Sequence, residues 1–143
     1  MKKNKIIYVP LAVDILHSGH LNILHKAKKY GDIVIGLLSD KAIAEYKNLP
    51  ILSYEERYKI VQNLKNVKKV IKQDTWNYKK ILENLKPDYL IHGDDWKKGI
   101  QKNTRTQVIQ ILKKIGGKLI EVPHTKNISS TSIKELIDRS VLT

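Results

Sequence analysis

Apolar runs and helically spaced apolar residues alternate along this chain almost from end to end. Lys5 to Val9 is a short β-branched run; His20 to Tyr30 then places Leu21, Leu24, Ala27 and Lys28 at helical spacing before Gly31 closes the segment. Ile33 to Leu38 is wholly apolar, as suits a strand buried on both faces, and a loop with a short helix is expected over Asp40 to Asn48. Ser53 and Glu56 form a capping box, from which Tyr54, Arg57, Tyr58, Ile60, Val61 and Leu64 carry a helix onward. Val67 to Lys72 reads as a third strand, Asn77 to Leu85 as a helix stopped by Pro87, and Tyr89 to His92 as a fourth strand ending at Gly93. Asn103 or Thr104 is expected to cap a helix that runs through Ile115 and ends at Gly116-Gly117. Leu119 to Val122 gives the fifth strand, and a last helix starts within Ser129 to Ser132 and runs to about Val141.

This order predicts an α/β fold: a single Rossmann-like domain over residues 1–143, with a five-stranded parallel sheet and helices on both faces. Ligands of such sheets lie beyond the carboxyl ends of the strands, so the residues there carry the chemistry. After the first strand come Asp14 and then His17-Ser18-Gly19-His20, leading directly into a helix. Free N–H groups and the positive dipole end favour an anion there, an imidazole can donate to a phosphoryl oxygen, and Gly19 lets the backbone come close. The bland alternative is that one histidine only caps the helix. The chain has no G-x-x-x-x-G-K-[ST] loop, no G-x-G-x-x-G after the first strand, no His-Glu-x-x-His and no G-x-S-x-G.

The charge narrows matters only after the motifs are seen. Lys and Arg total 27 against 14 Asp and Glu, a formal charge of +13. That balance invites nucleic acid, yet only Arg57, Arg105 and Arg139 are arginines and the lysines are scattered in ones and twos. No nucleic-acid partner is expected, and a small polyanion fits better. With no cysteine, disulfides, thiolate metal sites and a cysteine nucleophile are excluded. No segment reaches the ~18 apolar residues of a membrane span. The basic start and apolar run to Val13 look like a signal peptide, but Pro10 interrupts the run and no small-x-small site follows. The expectation is a cytoplasmic protein without a membrane partner.

His17-Ser18-Gly19-His20 after the first strand, with Ile128-Ser129-Ser130-Thr131 before the last helix, resembles the H-x-G-H nucleotidylyltransferase superfamily. His92-Gly93-Asp94-Asp95-Trp96 is similar to the cytidylyltransferases, especially those using glycerol 3-phosphate. Gly36 to Asp40, Tyr46 to Pro50, Tyr54 to Arg57 and Gly116 to Glu121 look most like the cytidylyltransferases of phosphonate biosynthesis, which often accompany phosphoenolpyruvate mutase. Two stretches depart from the glycerol-phosphate type. His124-Thr125-Lys126-Asn127 stands where Arg-Thr-Glu-Gly is usual, so Lys126 or His124 would supply the missing charge, and Pro10 to Val13 replaces Gly-x-Phe.

The resemblance implies CMP transfer from CTP, with Mg²⁺, to a small phosphonate such as 2-aminoethyl- or 2-hydroxyethylphosphonate, releasing pyrophosphate, in a homodimer. Alternatives are a glycerol-3-phosphate or phosphocholine cytidylyltransferase, an adenylyltransferase, or a nucleotide-binding module without catalysis. It further implies that His17 and His20 hold the triphosphate, that Ser129, Ser130 and Thr131 bind its β- and γ-phosphates, and that Lys47 bridges acceptor and α-phosphate. Arg57 would join them as a catalytic cation; its alternative is an ordinary partner on its own helix face. Asp95 would contact base or ribose, Asp94 would cap its loop, and Asp14 would orient a histidine or hold water around Mg²⁺. Trp76, Tyr78 and Trp96 would either border the acceptor or pack in the core.

Overall fold

The computed structural model describes residues 4–46 and 49–142, so Lys47 lies outside the described residues. Five strands form one parallel sheet: β1 (Ile6–Leu11), β2 (Asp32–Leu38), β3 (Val67–Gln73), β4 (Tyr89–Gly93) and β5 (Lys118–Val122), in the order β3-β2-β1-β4-β5. The helices are α1 (Ser18–Lys28), α2 (Asp40–Ala44), α3 (Tyr54–Gln62), α4 (Lys79–Leu85), α5 (Lys102–Ile115) and α6 (Ser130–Leu142). The chain moves outward from β1 in both directions, so the switch point lies between β1 and β4.

The period of two in the central strands divides the core. Ile7, Val9, Leu11, Ile33, Ile35 and Leu37 face α1 and α3 and pack with Leu24, Ala27 and Val61. Tyr8, Val34 and Leu38 face the other way and pack with Ile43 of α2, Leu82 of α4, and Val108 and Leu112 of α5. Both faces of the sheet are therefore covered, and burial on both sides explains why the strands read as unbroken apolar runs. Polar groups interrupt the second face at Tyr8. Tyr8 is fully buried, its hydroxyl donates to Gln73 Oε1 at 2.5 Å, and burial pushes its pKa up. Gly36 makes this possible, because a Cβ there would lie 1.9 Å from the Tyr8 hydroxyl oxygen.

The α5 start differs from expectation. Neither Asn103 nor Thr104 caps it; two 3-10 turns, Asp94–Lys97 and Gly99–Gln101, wind from β4 into a helix that begins at Lys102. The chain is already coiled when it arrives, so no capping side chain is used, and Thr104 is buried. Among the described residues no helix is long and apolar enough to cross a membrane.

Gly36→Ala is expected to lower stability by about 3 kcal/mol through overpacking against Tyr8. Urea denaturation measures this, and an unchanged midpoint would show that the tyrosine ring does not occupy that space.

Candidate active site

Val13 turns the chain out of β1 with φ at 54°, a left-handed conformation that β-branched residues rarely adopt. The backbone then runs through Asp14 to His17, the N-cap of α1. His17 Nδ1 accepts from the Gly19 N–H at 3.0 Å, and His20 Nδ1 accepts from the His17 N–H at 3.2 Å. This is a capping box built from two imidazoles, and their ring centroids lie 4.0 Å apart. A nitrogen that accepts a hydrogen bond carries no proton, so each ring is the neutral form with its hydrogen on Nε2. For His17 this agrees with a pKa held below the ordinary value, first by burial and then by repulsion from His124. Gly19 is required by the same geometry: a Cβ would come 2.7 Å from His17 Cε1.

A second helix start meets the first. Ser129 Oγ accepts from the Ser132 N–H at 3.0 Å while Ser132 Oγ accepts from the Ser129 N–H at 2.9 Å, a reciprocal cap on α6. The Ser130 hydroxyl donates to Ile15 O at 3.2 Å, joining the α6 start to the loop that leads into α1. Thr131 is exposed. The serine hydroxyls are thus engaged within the protein, and what the α6 start offers an anion is its first-turn N–H groups. The segment before α6 is pinned too: Asp94 Oδ1 accepts from the His124 N–H at 3.0 Å, and Asn22 Nδ2 donates to Thr125 Oγ1 at 3.1 Å.

Arg57 occupies the floor of the site. It is fully buried; Nε donates to Leu52 O at 3.0 Å, Nη1 to Ala12 O at 2.8 Å and Leu38 O at 2.7 Å, and Nη2 pairs with Asp40 Oδ1 at 2.6 Å. The guanidinium faces strand ends and its neighbouring loop, and it also lies 5.8 Å from the centroid of the Tyr54 ring on its own helix. Asp14 is also buried. Its Oδ1 accepts from the Ile51 and Leu52 N–H groups at 2.8 and 3.2 Å, and Oδ2 pairs with Lys134 of α6. Burial pushes its pKa up, but the Lys134 ammonium and the two N–H groups outweigh this and hold it below the usual carboxylate range. Among the described residues no three His, Asp or Glu side chains converge on a metal site. With Asp14 already engaged, these residues do not form a protein-held magnesium site.

The loop after β4 forms the opposite wall. Asp95 is two-thirds exposed at the rim of an open hollow of about 210 Å³, which Tyr46, Trp96, Lys98, Ile100 and Gln101 also line. His92 stacks on Trp96 at 3.7 Å with the rings almost parallel. Trp96 Nε1 donates to Glu121 Oε2 at 2.9 Å, and Arg105 grips the same carboxylate with two bonds of 2.8 and 3.1 Å. Glu121 and Arg105 were not among the sequence candidates; the available signals were an acidic residue inside an apolar strand and one of only three arginines. Trp76 donates to Ala42 O and Tyr78 is buried, so both belong to the core, and only Trp96 reaches the hollow.

Comparison with known proteins adds to this geometry. A profile of the cytidylyltransferase-like family matches residues 13–136. An ethanolamine-phosphate cytidylyltransferase of Dictyostelium discoideum is 33% identical, covering 99% of this chain and 38% of that protein. The bifunctional protein HldE of Desulfatibacillum aliphaticivorans is 31% identical over 90% of this chain and 26% of its own length. The chain thus spans roughly a quarter to two-fifths of these relatives. A crystal structure of the lipopolysaccharide core biosynthesis protein from Thermoplasma volcanium shares the fold, with a TM-score of 0.71, 24% identity, and coverage of 88% of this chain and all of that one.

The Arg105 grip holds the Glu121 carboxyl below the usual range against burial, with the Trp96 indole adding to it. A value lower in the folded than in the unfolded chain stabilises above the unfolded pKa of about 4.3, and this is lost as pH falls through the folded value. Glu121→Gln is therefore expected to be less stable than wild type at pH 7, by a margin that narrows below about pH 4.3. Denaturation followed by tryptophan fluorescence reads that margin; a pH-independent margin would contradict the ion-pair account.

Proposed function

The chain belongs to the cytidylyltransferase-like family, and on that premise we propose that it transfers CMP from CTP to a small phosphorylated acceptor with release of pyrophosphate. The observation that carries this reading is the meeting of two capped helix starts, one bearing paired imidazoles with protonated Nε2 atoms. An anionic oxygen of the acceptor attacks the α-phosphorus, a new P–O bond forms, and the bond to the bridging oxygen of the β-phosphate breaks. The nucleophile is already ionised at neutral pH, so positioning and stabilisation of charge are the main tasks. His17 and His20 donate from Nε2 to the α-phosphoryl and departing oxygens, while N–H groups of Ser130 and Thr131 receive the β- and γ-phosphates. Arg57 and Asp14 act as positioning residues for the loops around them, Lys47 supplies the cation between acceptor and α-phosphate, and Asp95 meets the nucleoside. Magnesium enters only as the counter-ion carried by the nucleotide phosphates.

For the acceptor, relatives named ethanolamine-phosphate cytidylyltransferase favour a phosphate ester of that size. The motif likeness to phosphonate enzymes supports the carbon–phosphorus analogue as a second reading. Ethanolamine phosphate and 2-aminoethylphosphonate differ by one bridging oxygen and present the same attacking group.

Pyrophosphate release from CTP and from ATP, with Mg²⁺, across ethanolamine phosphate, phosphocholine, glycerol 3-phosphate and aminoethyl- and hydroxyethylphosphonate tests the reading. CTP with ethanolamine phosphate is expected to lead; preference for ATP would sink the cytidylyl assignment. His17→Asn, which keeps a capping oxygen but removes the Nε2 donor, and His20→Ala are each expected to lower kcat/KM at least tenfold, about the effect of one charge-assisted hydrogen bond. Normal turnover in both would remove the imidazoles from the chemistry.

A further inference from the structure

Glu121 is an acidic residue within the apolar strand β5, and its side chain is only 15% exposed, so its place there needs a reason. A leucine would fill similar space without the cost of desolvating a charge. The carboxylate is held from two sides: Arg105 of α5 gives it two bonds and the Trp96 indole a third. The Trp96 ring is fixed in two ways in turn. Its stack on His92 of β4, with the planes 4° apart, sets the plane of the indole but leaves the ring free to slide and turn within that plane. The bond from Nε1 to Glu121 removes this freedom, and the two-point grip of Arg105 fixes the direction of the carboxylate. Trp96 belongs to the four-residue turn Asp94–Lys97, which has the weaker 3-10 hydrogen bonds and no capping side chain. Its neighbour in that turn, Asp95, stands exposed at the rim of the hollow, while Trp96 is buried. A turn with so little internal support takes its orientation from the buried side chain that anchors it.

We propose that Glu121, gripped by Arg105, is a positioning residue of this site: it holds Trp96, and through Trp96 it fixes the turn that presents Asp95 to the nucleoside of CTP. This rests on the CTP reading above and adds to it two residues, from β5 and α5, that act through Trp96 rather than on the substrate. The two ends of the nucleotide then have separate supports. The phosphate end depends on the caps of α1 and α6, joined by Ser130 on Ile15 and steadied by Asn22 on Thr125. The nucleoside end depends on the chain from Arg105 through Glu121 to Trp96. Asp94 of the same turn also bonds the His124 N–H, but the segment before α6 has the Asn22 and Ser130 anchors besides.

Calorimetric titration with CTP and, separately, with inorganic tripolyphosphate reads the two ends apart. Glu121→Leu removes the acceptor and keeps the volume. Trp96→Phe keeps a ring against His92, removes the donor and leaves Glu121 paired with Arg105. Each is expected to weaken CTP binding about tenfold, the effect of one hydrogen bond to a charged group, and to leave tripolyphosphate binding within about twofold of wild type. In the double variant the loss should stay near tenfold, because both changes cut the same link. A loss of about a hundredfold there would show that the two side chains act separately and would overturn the proposal. Wild-type CTP affinity in Glu121→Leu would overturn it as well, and so would tripolyphosphate binding that weakens in step with CTP, the mark of a merely structural support. If Glu121→Leu does not fold, Trp96→Phe alone decides, by the same tenfold loss or its absence. A wild-type protein that binds CTP no more tightly than tripolyphosphate would refute the nucleoside reading and this proposal with it, a result distinguishable because it needs no variant.

Discussion

A buried guanidinium organises the carboxyl end of this sheet. Burying an unpaired charge is prohibitive, so Arg57 can sit below the surface only where acceptors surround it. Three backbone carbonyls and Asp40 meet that demand, and two of the carbonyls, Ala12 just past β1 and Leu38 at the end of β2, lie where the strand ladder runs out of partners. Asp14 completes the arrangement from the opposite side. Arg57 takes the carbonyl of Leu52 while Asp14 takes its N–H, so a single residue is clamped between a buried cation and a buried anion. Asp14 then reaches Lys134, and through it the position of α6 depends on the same knot. The backbone at Ile51 and Leu52, the first loop and the second helix start are all referred to one small set of charges.

The site that results is less cationic than the composition suggests. The paired imidazoles are neutral, the Lys134 ammonium is engaged by Asp14, and Arg57 faces inward. What points toward a bound anion is a set of N–H donors at two helix starts, whose directions are fixed before the ligand arrives. Much of the +13 charge lies elsewhere. Lys68, Lys69 and Lys72 stand exposed on β3, an edge strand whose pairing with β2 slips by one residue at Lys68. Lysines and a bulge on an edge discourage pairing with another chain, so that part of the charge has a reason of its own.

The architecture was legible because it depends on patterns that read locally. Runs such as Ile33 to Leu38 are unbroken only when both faces are covered, and the Ser53–Glu56 spacing marks a helix start wherever it falls. The two motif-bearing helix starts were legible for the same reason. Arg57 was not, since the spacing of a helix does not reveal whether a long side chain leans toward the cleft or down between strand ends. The capping alternative for the histidines does not exclude the proposed phosphate role, because only one nitrogen of each ring serves the helix. Glu121 and Arg105 lie 16 residues apart and meet only once β5 and α5 have packed. The 3-10 turns before α5 erased the capping signal that Asn103 and Thr104 seemed to provide.

The central claim is that two capped imidazoles present fixed Nε2 donors to a nucleotide triphosphate. Long-range ¹H–¹⁵N spectra of the histidine rings, recorded during a CTP titration, test it most directly. The account predicts that His17 and His20 are the Nε2–H form in the free protein, and that both Nε2 signals move on binding while exposed His25 stays in place. Rings protonated on Nδ1 in the free protein, or CTP binding that leaves both rings undisturbed, would contradict it.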